Sequence, residues 1–116
     1  MLGNQSIGYK QYTLLIPFEN DRVLLGKKKR GFGEGYYNGF GGKIEQGERT
    51  EQAACRELFE EAGIQAVAYE QVGRLHFSFD DKPLPWEVHV FSCKAFKGEP
   101  RETDEMVWIL FFVFYI

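Results

Sequence analysis

Three glutamates at helical spacing are the residues of this sequence best placed to do chemistry. Glu57, Glu60 and Glu61 stand at positions i, i+3 and i+4, and at roughly 100° per residue they share one arc of an α-helix. Carboxylates at this spacing repel each other by about a few tenths of a kcal/mol per pair. Hard divalent cations such as Mg²⁺ bind oxygen ligands. The arc therefore indicates a metal site, with a solvated acidic face as the alternative.

A glycine-rich segment precedes this helix. The stretch 31–42, GFGEGYYNGFGG, contains six glycines and four aromatic residues. Glycine lets the backbone approach a ligand closely, and aromatic rings offer a flat base a surface for stacking. Asn38 carries an amide that can donate and accept hydrogen bonds, although a turn residue is the alternative. The pattern of a phosphate-binding P-loop is absent.

Hydrophobic periodicity predicts the elements that position these residues. Strands are predicted at 12–18, at 22–29, within 65–80 and at 86–96. The turn cluster 19–21 should join the first two strands in a hairpin. The helix is predicted at 48–62, with Gly63 as its C′ residue. An apolar arc beside the acidic one should pack on the sheet, so that the carboxylates face a cleft: Ala54, Cys55, Leu58, Phe59 and Ala62. Arg56, at the other edge, is placed to hold a glutamate in position.

Length and composition favour one domain over residues 1–116, with 44% hydrophobic residues available for a core. A net charge of −3 argues against a partner that is a nucleic acid polymer. Cys55 and Cys93 are predicted to be buried free thiols of a reducing compartment. His76 and His89 lie in predicted strands without a metal-ligand spacing, so we interpret both as structural. The first residues show no signal peptide pattern.

The segment 107–116, VWILFFVFYI, is an uninterrupted apolar run. Ten residues are too few for a membrane-spanning helix, which needs about 20, so we predict a buried strand and no membrane partner. Because no charge or proline interrupts the run, it carries an aggregation risk. We otherwise expect a monomer.

Nine positions from Gly42 to Ile64 fit one long pattern, G-x5-E-x7-R-E-U-x-E-E-x-G-U, where U is a bulky apolar residue. This pattern is the Nudix box, and through it the chain resembles Nudix hydrolases. Residues 12 to about 106 are similar to the subgroup of oxidised purine nucleoside triphosphatases (8-oxo-dGTPases). The passages that carry this likeness are YTLL, RVLLG, KKRGFG, NGFGGK, ACRELFEEAG, VHVF and TDEM. The resemblance implies an α/β/α sandwich around a mixed sheet.

The resemblance also implies an activity and a site. Members of the subgroup use Mg²⁺, with Mn²⁺ as an alternative, to hydrolyse an oxidised purine nucleoside triphosphate to the monophosphate and pyrophosphate. The implied metal ligands are the Gly41 carbonyl and the carboxylates of Glu57, Glu60, Glu61 and Glu105, with Arg56 beside them in the catalytic group. The implied substrate-binding residues are Thr13, Lys28, Phe32, Asn38, Phe77 and Trp86. Which glutamate is the general base stays open. The expected location is the cytoplasm, with the nucleus and the mitochondrion as alternatives.

The sequence departs from the subgroup after Met106. There the subgroup continues with a segment that reads the oxidised base and with a second long helix, whereas this sequence has the apolar run 107–116. We therefore expect the C-terminal helix layer to be missing and part of the sheet to be uncovered. Two alternatives remain open: a Nudix hydrolase of another nucleoside diphosphate-linked substrate, and a catalytically impaired isoform that acts only as a binding domain.

Overall fold

The computed structural model describes residues 8–31, 33–104 and 106–112. In the described residues the secondary structure consists of six strands and one helix. In chain order these are β1 (Lys10–Glu19), β2 (Arg22–Lys28), β3 (Tyr37–Asn38), α1 (Thr50–Ala62), β4 (Gln65–Phe77), β5 (Trp86–Lys97) and β6 (Met106–Phe112).

The strands form a mixed sheet in the order β3-β2-β1-β5-β4, and β6 pairs with β2. β1 and β5 run parallel, from the pair Lys10 and Trp86 to the pair Pro17 and Cys93. The other strand pairs are antiparallel, including the hairpin of β1 and β2 that the sequence predicts. The α/β fold with a mixed sheet is therefore confirmed.

One face of the sheet is covered by α1. Four apolar helix residues are fully buried there, together with sheet residues of the same core: Ala53, Ala54, Leu58 and Ala62 from the helix, and Leu15, Phe91 and Cys93 from the sheet. The prediction that Phe59 belongs to this packing arc is wrong, because its side chain is 52% exposed. Phe59 lies roughly 100° around the helix from Leu58, where the guanidinium of Arg101 sits 5.7 Å from its ring centroid.

The helix begins two residues later than the sequence predicts. Glu48 lies in a turn instead, since its N–H donates to the Glu45 carbonyl and its carboxylate accepts from the Glu45 N–H at 3.0 Å. Arg49 is the N-cap residue. At the other end Gly63 adopts the predicted left-handed conformation, with φ of 74° and an N–H bond to the Phe59 carbonyl.

The remaining sequence predictions for the elements have mixed outcomes. β4 (Gln65–Phe77) lies within the range 65–80 in which the sequence predicts a strand. The predicted strand at 107–116 is confirmed over the backbone of 106–112, which pairs along the whole of β2, and 113–116 lie outside the described residues. Both cysteines are free as predicted, but Cys55 is only half-buried. Within the described ranges no helix is long and apolar enough to cross a membrane.

The sheet face opposite α1 is only partly covered. Leu14, Ile16 and Val90 are half-buried there, and the β4 residues Leu75 and Phe77 are 46% and 44% exposed. The described residues contain no helix other than α1. This face carries the cavity described below.

Two neighbouring residues of α1 test the packing. Leu58→Ala should lower the free energy of unfolding by about 2–5 kcal/mol, because it removes a fully buried side chain. Phe59→Ala removes a larger but half-exposed side chain and should cost about 1 kcal/mol or less. Urea denaturation of both variants measures the difference, and equal losses would contradict the described orientation of the helix.

Candidate functional site

The segment 40–44 runs beside β1 as an extended chain. Its hydrogen bonds to β1 are Leu15 N–H to the Phe40 carbonyl at 2.6 Å, Phe40 N–H to the Leu15 carbonyl at 2.8 Å, Thr13 N–H to the Gly42 carbonyl at 2.9 Å and Ile44 N–H to the Gln11 carbonyl at 3.0 Å. Every second residue therefore directs its backbone groups at β1. In extended backbone the intervening residues direct theirs to the opposite edge.

That opposite edge faces α1. The Gly41 N–H donates to Oε1 of Glu61 at 2.9 Å, and the Lys43 carbonyl accepts from Nη2 of Arg56 at 3.1 Å. Because the N–H and C=O of an extended residue point the same way, the Gly41 carbonyl lies on the edge that meets the helix carboxylates. The geometry thus brings together Gly41 and Glu61, which the resemblance assigns to one metal site.

Gly41 has no room for a side chain, and a side chain at Gly42 would displace the Glu57 carboxylate. A Cβ atom at Gly41 would lie 1.9 Å from the Thr13 carbonyl oxygen, and one at Gly42 would lie 2.4 Å from Oε2 of Glu57. Both distances are far below any van der Waals contact. The absence of side chains therefore lets this segment lie between β1 and the carboxylates of α1.

Arg56 binds three glutamates. Its Nε and Nη2 contact the two carboxylate oxygens of Glu48 at 2.6 and 3.0 Å, a bidentate pair. Its Nη1 reaches Oε2 of Glu57 at 3.1 Å and Oε1 of Glu60 at 3.0 Å. The hydrogen bonds between Arg56 and Glu48 lower the pKa of Glu48 and raise the pKa of Arg56. Arg56 thus lies where it can position glutamates, as the sequence predicts.

The three helix carboxylates differ in their exposure to water. Glu61 is 4% exposed, whereas the side chains of Glu57 and Glu60 are 15% and 55% exposed. Burial raises the pKa of Glu57, and the Arg56 charge opposes that rise. A cation near this carboxylate would therefore be stabilising.

The described residues hold no ready-made cluster of three side chains that could bind a metal. Nη1 of Arg56 lies between oxygens of Glu57 and Glu60, and Oε1 of Glu61 is bound to Gly41. The donor set nevertheless suits Mg²⁺, because it consists of carboxylate and carbonyl oxygens and a positive group already lies between two of them. Glu105, the remaining predicted ligand, lies outside the described residues.

A cavity of about 280 Å³ begins at Gly41 and Gly42. Five of the predicted substrate-binding residues line it: Thr13, Lys28, Asn38, Phe77 and Trp86. Phe32, the sixth, lies outside the described residues. The ring centroids of Tyr12 and Trp86 stack at 4.2 Å, and Phe79 meets Trp86 edge-on at 4.9 Å. The cavity is therefore suited to a flat aromatic ligand.

Polar groups of the cavity wall suit a ligand that donates and accepts hydrogen bonds. The side chain of Asn38 is oriented by its Oδ1, which accepts from the Gly39 N–H at 2.8 Å. Thr13 is 3% exposed, and within the described residues its buried hydroxyl oxygen has no hydrogen-bond partner. Such a group costs free energy unless it is satisfied, and strand alternation places it on the side of β1 that carries the buried Leu15.

Sequence reasoning missed part of the cavity wall. Tyr12, Leu75, Phe79 and Met106 also line it, whereas Tyr36 belongs to the aromatic segment that the sequence singles out. The alternation of apolar residues in β1 places Tyr12 on the same face as Leu14, but its contact with Trp86 depends on the parallel pairing of β1 with β5. That pairing joins segments distant in sequence, and local periodicity carries no signal for it.

The two histidines lie apart from this cavity. Strand alternation places His89 and Glu87 on the sheet face opposite Trp86 and Val88. Glu87 is 2% exposed, with Nε2 of His76 at 2.8 Å and Nε2 of His89 at 3.7 Å. Burial lowers the pKa of His89. Both histidines therefore contact a buried carboxylate, an arrangement that fits their interpretation as structural.

Gly41→Ala tests the close approach of the glycine segment to β1. The added Cβ would overlap a backbone carbonyl, so the variant should lose about 1–3 kcal/mol of unfolding free energy. Gly73→Ala is the control, because a Cβ there meets nothing within 4 Å. Thermal and urea denaturation compare the two, and a neutral Gly41→Ala would contradict the described packing.

Comparisons with known proteins agree with this arrangement. The family model described as the NUDIX domain matches residues 9–110. The chain is 47% identical over 97 residues to the oxidized purine nucleoside triphosphate hydrolase of Danio rerio, covering 84% of this chain and 62% of that protein. It is 47% identical over 95 residues to the Mus musculus protein of the same name, covering 82% and 61%. The chain therefore spans less than two thirds of the length of these relatives.

Solved structures share the fold. The chain is similar to a MutT NUDIX hydrolase from Burkholderia pseudomallei, with a TM-score of 0.81, 30% identity, and coverage of 88% of this chain and 81% of that one. A MutT protein from Bacillus halodurans gives a TM-score of 0.71 at 28% identity, covering 85% of this chain and 67% of that one.

Proposed function

The chain belongs to the NUDIX family, and from its site we propose that it is a metal-dependent nucleoside triphosphate pyrophosphohydrolase. The proposed substrates are oxidised purine nucleoside triphosphates of the 8-oxo-dGTP type, and the products are the nucleoside monophosphate and pyrophosphate. The proposed cofactor is Mg²⁺, with Mn²⁺ as a substitute.

One observation carries the proposal. Gly41 and Gly42 belong both to the edge that meets the carboxylates of α1 and to the lining of the aromatic cavity. A nucleotide with its base in the cavity would therefore have its phosphates directed to the carboxylate edge. This is the arrangement that hydrolysis of a phosphate chain needs, because the reacting bond must be held next to the groups that stabilise its charge.

Each group has a proposed task. Glu57, Glu60, Glu61 and the Gly41 carbonyl would hold Mg²⁺, with Glu105 as a further ligand by its place in the sequence. Mg²⁺, when bound, neutralises phosphate oxygens and lowers the pKa of a bound water. A carboxylate of this group accepts the proton of the attacking water. Arg56 holds Glu48, Glu57 and Glu60 in place, and pyrophosphate leaves without a covalent enzyme intermediate.

The substrate class rests on the cavity and on the relatives. Two relatives that are 47% identical carry the name oxidized purine nucleoside triphosphate hydrolase. In the cavity, Asn38 can hydrogen-bond a purine edge, and Phe77 and Trp86 offer aromatic surface for stacking. Thr13 and Lys28 would contact the sugar and phosphate side of the nucleotide.

The activity is tested by incubating the protein with 8-oxo-dGTP and Mg²⁺ and measuring monophosphate and pyrophosphate. We expect both products in equal amounts and none after chelation of the metal. Glu61→Gln should lower kcat by at least about a hundredfold, because the amide keeps the bond from Gly41 but loses the charge that binds metal.

Glu51→Gln is the matched control for Glu61→Gln. It makes the same change in the first turn of the same helix, where the side chain is 44% exposed, and should leave kcat unchanged. A folded wild-type protein without metal-dependent product would overturn the proposed activity, and full activity of Glu61→Gln would remove Glu61 from the site.

Asn38→Ala tests base recognition separately from metal binding. We expect KM for 8-oxo-dGTP to rise on the order of tenfold, as for the loss of about 1.4 kcal/mol of hydrogen bonding, with an unchanged Mg²⁺ requirement. Asn20→Gly removes an amide at the hairpin turn, where φ is 55°, and should leave KM unchanged. An unaltered KM in Asn38→Ala would exclude Asn38 from the substrate site.

A further inference from the structure

Thr103 connects two parts of the structure through its side chain. Its hydroxyl donates to the Glu61 carbonyl at 3.0 Å and accepts from the Met106 N–H at 3.2 Å. The Thr103 N–H also donates to the Met106 carbonyl at 3.0 Å. One hydroxyl thus bridges the last turn of α1 and the first residue of β6.

The Glu61 carbonyl needs such a partner. Glu61 is the penultimate residue of α1, and the last four carbonyls of a helix have no partner within the helix. The Arg101 N–H bonds the neighbouring Ala62 carbonyl at 2.9 Å. Arg101 and Thr103 therefore cap the C-terminal end of α1, with Thr103 as the side-chain contact to Glu61.

This contact bears on the carboxylate of Glu61. The backbone of Glu61 is held by Thr103, while its carboxylate is held by the Gly41 N–H at 2.9 Å. Glu61 is 4% exposed, so the side chain has little room to adjust if the end of the helix shifts. On the other side of Thr103, Met106 is fully buried and lines the cavity.

We propose that Thr103 is a positioning residue for the metal site, where its hydroxyl holds the Glu61 end of α1 in register with the start of β6. The inference rests on the proposed function, because it assumes that Glu61 binds metal. Thr103 would act through Glu61 and not by touching the metal or the nucleotide.

Thr103→Val tests the inference, since valine keeps the shape of threonine and lacks the hydroxyl. The direct measurement is Mn²⁺ affinity of the nucleotide-free protein, from the loss of the free-ion EPR signal. We expect the Mn²⁺ affinity to fall on the order of tenfold, which is the smaller of the losses typical for residues that orient metal ligands. In turnover, the Mg²⁺ concentration for half-maximal rate should rise similarly, with KM for 8-oxo-dGTP at saturating Mg²⁺ unchanged.

Two further variants separate positioning from general stability. Thr103→Ser keeps the hydroxyl and should restore Mn²⁺ affinity to within about twofold of wild type. Ile64→Val trims a fully buried residue next to the helix end and should lower the melting temperature without changing the affinity. Thr103→Ala also lacks the hydroxyl and replaces Thr103→Val if the latter does not melt cooperatively.

The outcomes separate this inference from the proposed function. The role of Thr103 would be overturned if Thr103→Val bound Mn²⁺ with wild-type affinity. It would also be overturned if Thr103→Ser or Ile64→Val lost as much Mn²⁺ affinity as Thr103→Val. Either result would leave the proposed activity in place. A wild-type protein that neither binds Mn²⁺ nor hydrolyses nucleotide would overturn the proposed function, and the role of Thr103 with it.

Discussion

The hydrogen bond from the Gly41 N–H to the Glu61 carboxylate is the interaction on which the rest of the site depends. It joins an extended segment, itself bonded to β1, to the last turn of α1. Because the partner is a carboxylate that is almost fully buried, the bond is stronger than the same bond would be in water. Its loss would remove a backbone donor from a buried carboxylate, which costs free energy.

Charge balance is the second constraint on this region. Glutamates at helical spacing repel each other, and burial of Glu57 adds to the cost. Arg56 offsets both by binding Glu48 with two nitrogens and by placing a third between Glu57 and Glu60. A lysine could not do this, because an ammonium lacks the planar fork that reaches three carboxylates. The same guanidinium therefore offsets part of the repulsion within the acidic cluster.

The sequence predicts the local parts of this structure well. The carboxylates of α1, the position of Arg56 beside them and the glycine end of the helix all follow from helical spacing and turn chemistry. The misplaced residues are those decided by tertiary contacts. Phe59 is apolar and adjacent to the packing arc, yet Arg101, distant in sequence, gives it a partner outside the core. The place of Tyr12 in the cavity is not predicted, because the contact of its ring with Trp86 requires the parallel pairing of β1 with β5.

The carboxylate edge of α1 and the aromatic cavity differ in how they are supported. The edge is held by hydrogen bonds among β1, the segment 40–44 and α1, which pack over the fully buried core around Leu15 and Leu58. The cavity lies on the other face, where Leu75 and Phe77 of β4 are more than two fifths exposed. Packing therefore restrains the carboxylates more strongly than the walls of the cavity. A perturbation of that exposed face should therefore alter the shape of the cavity before it alters the arrangement of the carboxylates.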